Sequence, residues 1–163
     1  MPQALYHGYS AGQFTMSAAS STLPALVIAN TDTNHALMLK KYRIGMGGTG
    51  SASVTFQIAA TSTSATALGT STAGTIVQTG GRTLANGGIS IVGANYTAAR
   101  TTEAYVIIDE ITLVNNQTLI YDYPWGDEPD CPLGVATYGA GFAVFITAGT
   151  PVVTTVDLWV ARI

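Results

Sequence analysis

From Leu23 onward the chain breaks into short runs rich in Val, Ile, Thr, Phe and Tyr, each ended by Gly, Asn, Asp or Pro, and this punctuation constrains the fold more than any other feature. β-Branched and aromatic residues suit a pleated, half-buried surface, and the punctuating residues supply the backbone conformations that turns need. No stretch of about 11 or more residues keeps an apolar face at helical spacing without a Gly or β-branched interruption, so at most one short helix fits, near Thr97 to Glu103. Candidate strands are Ala25 to Asn30, Leu37 to Ile44, Ser53 to Ala60, Gly74 to Gln78, Tyr105 to Leu113, Thr118 to Tyr123, Gly134 to Tyr138, Gly141 to Thr147 and Val152 to Ile163. Asn115-Asn116 reads as a hairpin turn, because Asn tolerates positive φ; Gly139, Gly141 and Gly149-Thr150-Pro151 punctuate the late strands. About eight or nine short strands without interleaved helices predict an all-β, antiparallel sandwich or barrel.

The 163 residues fit one domain. Residues 1–22 are polar or small, carry scattered aromatics at Tyr6, Tyr9 and Phe14, and keep no sustained period, which reads as an extended arm ahead of a domain over residues 23–163. Between Ala60 and Arg100 a segment of Ala, Thr, Ser and Gly alternates with Leu68, Ile76, Val77, Leu84, Ile89 and Ile91, as expected of an ordered, loop-rich excursion with one or two short strands.

Charged residues make up only 9% of the chain, where roughly 25% is usual. A surface so poor in charge is wetted by Ser, Thr, Asn and Gly, or is hidden in a contact. No run of about 18 apolar residues exists, which argues against a membrane helix, and the first residues lack the basic start and apolar block of a signal peptide. A single cysteine, Cys131, leaves no internal disulfide framework. The net charge of −3 and the lone cluster Lys40, Lys41 and Arg43 argue against nucleic acid, the more so because alternation in a strand separates Lys40 from the other two.

The last strands are apolar on both faces. Phe142, Val144 and Ile146 form one side of their strand with Ala143 and Phe145 opposite, and Val152, Val156, Leu158 and Val160 face away from Val153, Trp159, Ala161 and Ile163. An antiparallel sheet with one wet side alternates cleanly, so this pattern suggests a subunit interface through Phe142, Phe145, Val153, Trp159, Ala161 and Ile163, with Tyr6, Tyr9 and Phe14 of the arm reaching a neighbour.

Chemistry finds little support. Gly45-Met46-Gly47-Gly48-Thr49-Gly50 matches a dinucleotide fingerprint in form, but a strand pattern follows it where a helix N-terminus is required. Asp122, Asp127, Glu128 and Asp130 are acidic enough to suggest calcium, yet their spacing fits no calcium loop and three prolines make the segment a stiff connection. His7 and His35 are the only histidines, and no nucleophile motif accompanies them. The expectation is a protein without catalytic, cofactor or metal site.

Leu26 to Asn30 with Leu37 to Met46, then Tyr123-Pro124-Trp125-Gly126, Gly141 to Ile146 and the ending Val156 to Ile163 together resemble small bacteriophage virion proteins with a jelly-roll fold. The resemblance covers half the chain and is one of layout. It implies a jelly-roll-like β-sandwich in the virion, a capsid decoration, cement or minor capsid protein that forms a homotrimer and contacts the major capsid protein or other virion proteins. The alternative is a carbohydrate-binding or receptor-binding module of a phage tail, with Tyr96, Tyr121, Tyr123, Trp125 and Tyr138 as a sugar platform.

Overall fold

The computed structural model describes residues 4–10, 13–16, 23–30, 34–48, 53–61, 75–80, 89–94, 105–131, 141–147 and 152–163. These residues hold twelve strands where about eight or nine were expected from the pattern, and no helix: β1 (Ala4–Tyr9), β2 (Phe14–Met16), β3 (Leu23–Asn30), β4 (Leu37–Gly47), β5 (Ser53–Thr61), β6 (Thr75–Gly80), β7 (Ile89–Ala94), β8 (Tyr105–Val114), β9 (Gln117–Asp122), β10 (Asp130–Cys131), β11 (Gly141–Thr147) and β12 (Val152–Arg162). The expected strand Gly134 to Tyr138 and the expected short helix lie outside the described residues.

Every pairing is antiparallel, in two sheets. The first runs β10-β4-β12-β1-β6, with β2 on one end of β12 and β9 along β4; the second runs β7-β3-β11-β5-β8. Inward side chains of both sheets meet in one core. Tyr6, Leu39, Tyr42, Ile44, Val156, Leu158 and Val160 come from the first sheet, and Leu26, Ile28, Val54, Phe56, Ile58, Phe142 and Val144 from the second. The alternating pattern of β4, β5 and β12 produces this directly, because period-2 sequences send one set of residues inward and the other outward. At about 25 cal/mol per Å² of apolar surface, such burial is the main term opposing chain entropy.

Residues 4–9 correct the expected arm. β1 sits inside the first sheet, with β12 on one side and β6 on the other, and Ala4 and Tyr6 are buried in the core. Its sequence ALYHGY hides this, because the inward positions Ala4 and Gly8 are small while the outward Leu5, His7 and Tyr9 are bulky. Phe14 belongs to β2, which pairs with Val152–Thr154 of β12.

The Asn115-Asn116 turn forms where expected, with Asn116 at φ 60°. Its two strands part company, however. β8 pairs with β5 in the second sheet and β9 with β4 in the first, so the turn bridges the sheets instead of closing a two-strand ladder.

Candidate functional site

The outward face of the first sheet carries a cluster of charged side chains, Lys41, Arg43, Asp122 and Asp157. One row crosses five strands: Val77 of β6, His7 of β1, Trp159 of β12, Lys41 of β4 and Asp122 of β9. His7 stacks on the indole of Trp159, and the Lys41 ammonium lies 5.4 Å from the indole centroid, reaching from the strand on the other side. Lys41 also pairs with Asp122 at 3.2 Å. In the next row Asp157 is nearly covered, and its two oxygens accept from His7 Nε2 at 2.9 Å and Arg43 Nε at 2.8 Å. Both neighbours are needed, since a buried carboxylate is costly without partners.

The edge of the same sheet is different in character. β9 has β4 on one side, and five of its six residues are exposed. Ile120 is 53% and Tyr121 39% exposed, and beyond them Trp125 stands 94% exposed. The loop that presents Trp125 is strapped to β4. Tyr123 N donates to Lys40 O, Leu39 N to Pro129 O and Asp127 N to Pro124 O, while Asp130 and Cys131 pair with Met38 and Leu37 as β10. Lys40 Nζ donates to Glu128 at 2.8 Å, and this bond, with help from the Gly126 N–H, holds the Glu128 carboxyl below the usual carboxylate range. Lys40 is the extra residue of a bulge in β4 opposite the Trp159–Val160 step and reaches the loop, while Lys41 and Arg43 lie on the outer face.

Behind this edge Tyr42, Tyr121 and Tyr123 cluster between the sheets, with Tyr121 edge-on to Tyr123 at 4.9 Å. Tyr42 Oη donates to Asp109 Oδ2 of β8 at 2.6 Å and ties the two sheets together. Burial of Cys131 pushes its thiol up to about 11, which leaves it protonated and inert.

The residues expected to form the subunit interface separate. Phe142 belongs to the main core, and Phe145 is 1% exposed in a second cluster with Val27, Ala59 and Ala143 on the other face of β11. Both are shielded within a single chain, so the apolar run of β11 marks a strand covered on both sides instead of a subunit contact; Ala161 is likewise buried. Val153 and Trp159 are half-buried on the outward face, and Ile163 is exposed. Of the aromatics assigned to a neighbour, Tyr6 is in the core, and Tyr9 lies on the outward face beside His7. Sequence reading missed the His7–Asp157–Arg43 cluster, whose members meet only once three strands are in register, and it missed the exposed edge at β9.

Gly45–Gly47 are the end of β4, and β5 follows the glycines, so a helix N-terminus does not stand where the dinucleotide fingerprint needs one. Among the described residues no three His, Cys, Asp or Glu side chains gather as metal ligands. No family model matches the chain, and no curated protein and no solved structure matches it either.

Proposed function

We propose that this chain is a structural subunit of a bacteriophage particle, a capsid decoration, cement or minor capsid protein on a jelly-roll sandwich that acts through contact area. The observation that carries this reading is the nesting of its strand pairs. β5 pairs with β8, β4 with β9, β3 with β11 and β1 with β12, each pair enclosing the one before it along the chain. A single long hairpin rolled up so that successive pairs fall in alternate sheets gives this nesting, and that is how a jelly roll is wound. β2, β6, β7 and β10 are additions at its margins. The scarcity of charge and the exposed apolar side chains of β9 and Trp125 support a subunit that covers part of its surface in an assembly, with copies of itself or with capsid proteins.

Co-purification with intact particles, followed by reconstruction of the particle, tests this reading directly. Density for the sandwich on the capsid shell is the expected result, and its absence from particles of the phage that encodes it would sink the proposal.

A tail-borne sugar-binding or receptor-binding module is the second reading, favoured by Trp125 alone: both faces of its ring are open and its loop is rigidly held. Trp159 offers no such platform, since His7 and Lys41 flank its indole. Tyr96 and Tyr138 lie outside the described residues. Glycan-array binding that is lost in Trp125→Ala would favour this second reading over the first.

A further inference from the structure

From the outer edge of β9, which among the described residues has no strand beyond β4, we infer a two-fold contact in which two copies of this chain pair β9 with β9 in antiparallel fashion, Ile120 opposite Ile120, and join their first sheets into one. A strand with an open edge is a template for another strand unless something guards it. Among the described residues β8 of the second sheet and β9 of the first lie side by side as edge strands. β8 is guarded: Asp109 and Glu110 sit at its middle, and an antiparallel self-pairing about either residue sets like carboxylates directly opposite each other. β9 has no such guard. Its charged residue, Asp122, is at the end, and the strand contains no proline and no bulge against β4.

The register follows from the pleat. A two-fold axis perpendicular to the sheet keeps each face on its own side, so Thr118, Ile120 and Asp122 of one copy must oppose members of the same set in the other. With Ile120 on the axis, Leu119 faces Tyr121 and the Thr118 hydroxyl faces the Asp122 carboxylate, each twice. Apolar meets apolar, and a donor meets an acceptor. Moving the axis to Leu119 sets Thr118 against Ile120 and Gln117 against Tyr121, pairing polar with apolar, so the side-chain pattern selects the first register. Asp122 is 68% exposed on its side chain, although Lys41 pairs with it, so a second hydrogen bond is within its capacity. The opposite edge of the same sheet, β6, is a poorer candidate, because Ile76, Gln78 and Gly80 are half-buried there. The contact is two-fold and therefore separate from the three-fold association that the family resemblance implies; trimers linked in pairs would use both. It does not depend on the particle reading.

The test is cysteine capture at the axis. Ile120→Cys places two thiols opposite each other at a spacing that a disulfide spans, while the native Cys131 is buried and does not compete. Val106→Cys, at an exposed site of β8, reports random collision. Mild oxidation should link Ile120→Cys into dimers many-fold faster than Val106→Cys. Ile120→Lys, which sets two ammonium groups across the axis, should halve the mass seen by light scattering, to 16.8 kDa if the pair is the whole assembly, with the circular dichroism spectrum unchanged. Equal linking rates for the two cysteine variants, or a mass unaffected by Ile120→Lys, would overturn the inference.

Discussion

His7 lies flat against Trp159, with ring centroids 4.1 Å apart and planes within 2° of parallel. The contact joins β1 to β12 and adjoins the row of Asp157, which takes a hydrogen bond from the same imidazole. A segment that looks like a loose N-terminal extension is therefore part of the frame, and a sandwich closed by its two ends is sensitive to the loss of either.

Deletion of residues 1–10 should unfold the domain. β1 is an inner strand of the first sheet, so its removal strips hydrogen-bond partners from β12 and β6 and exposes the core around Tyr6. Tyr6 alone contributes about 2 kcal/mol of burial, and a domain of this size is stable by only about 5–15 kcal/mol in total. The milder His7→Ala should cost roughly 1–3 kcal/mol, since Asp157 keeps only Arg43 and the stack is lost. Urea denaturation of both variants checks this, and a truncated protein with a wild-type midpoint would return β1 to the role of an arm.

Asp at Phe145 and Asp at Trp159 should behave differently. Phe145 is enclosed within one chain by Val27, Ala59 and Ala143, so a carboxylate there is desolvated without a partner at a cost of several kcal/mol, and the variant should fail to fold. Trp159 is half-buried on the outward face, and Trp159→Asp should give a soluble, less stable protein whose added charge is repelled by Asp157. Soluble yield and far-ultraviolet circular dichroism distinguish the two. A well-folded Phe145→Asp would place that side chain at a surface after all.

Much of this architecture is legible in the sequence wherever a strand's two faces differ. β4, β5, β8 and β9 begin or end within a few residues of their expected limits, and β11 matches its limits, because bulky β-branched runs with clear punctuation leave few alternatives. β1 fails the same reading, since two of its three inward positions, Ala4 and Gly8, are small and its outward side chains are large. β11 misleads in another way: a central strand with both faces covered and a strand at a subunit contact have the same two-sided apolar sequence, and only the neighbours tell them apart. The edge at β9 was invisible for a related reason. Its openness is a property of which strand lies beside it, and Ile120 reads like any core residue until β4 proves to be the one partner of β9 among the described residues.

Gly141→Ala should destabilise the domain by roughly 1–3 kcal/mol or more. A methyl group at this position would collide with the backbone oxygen of Ile28 on β3, and a backbone atom cannot turn aside as a flexible side chain does. The strand pair β3–β11 would have to separate at that point, close to where Phe142 enters the core. Thermal melting of the variant tests this. An unchanged melting temperature would mean that β3 and β11 run further apart at Gly141 than their pairing shows.

Alkali should weaken the fold through the tyrosines behind the β9 edge. Burial first, then the hydrogen bond to Asp109, raises the Tyr42 phenol far above its usual value, and burial does the same for Tyr123. Below pH ~10 both phenols are protonated in the folded and the unfolded chain, and the stabilisation is fully present. Above it the unfolded chain ionises while the folded one does not, so stability falls as pH rises, by about 1.4 kcal/mol per pH unit for Tyr42 alone. The two side chains differ at neutral pH. Tyr42→Phe removes a 2.6 Å bond to a carboxylate and should cost about 1.5–3 kcal/mol. Tyr123→Phe removes a buried hydroxyl that has no hydrogen-bond partner, so it should be neutral or stabilising, by up to about 2 kcal/mol. Urea midpoints measured from pH ~7 to ~11 for wild type, Tyr42→Phe and the double variant complete the test. The double variant should lose most of the alkaline decline, and a decline as steep as that of wild type would assign it to other phenols of the chain.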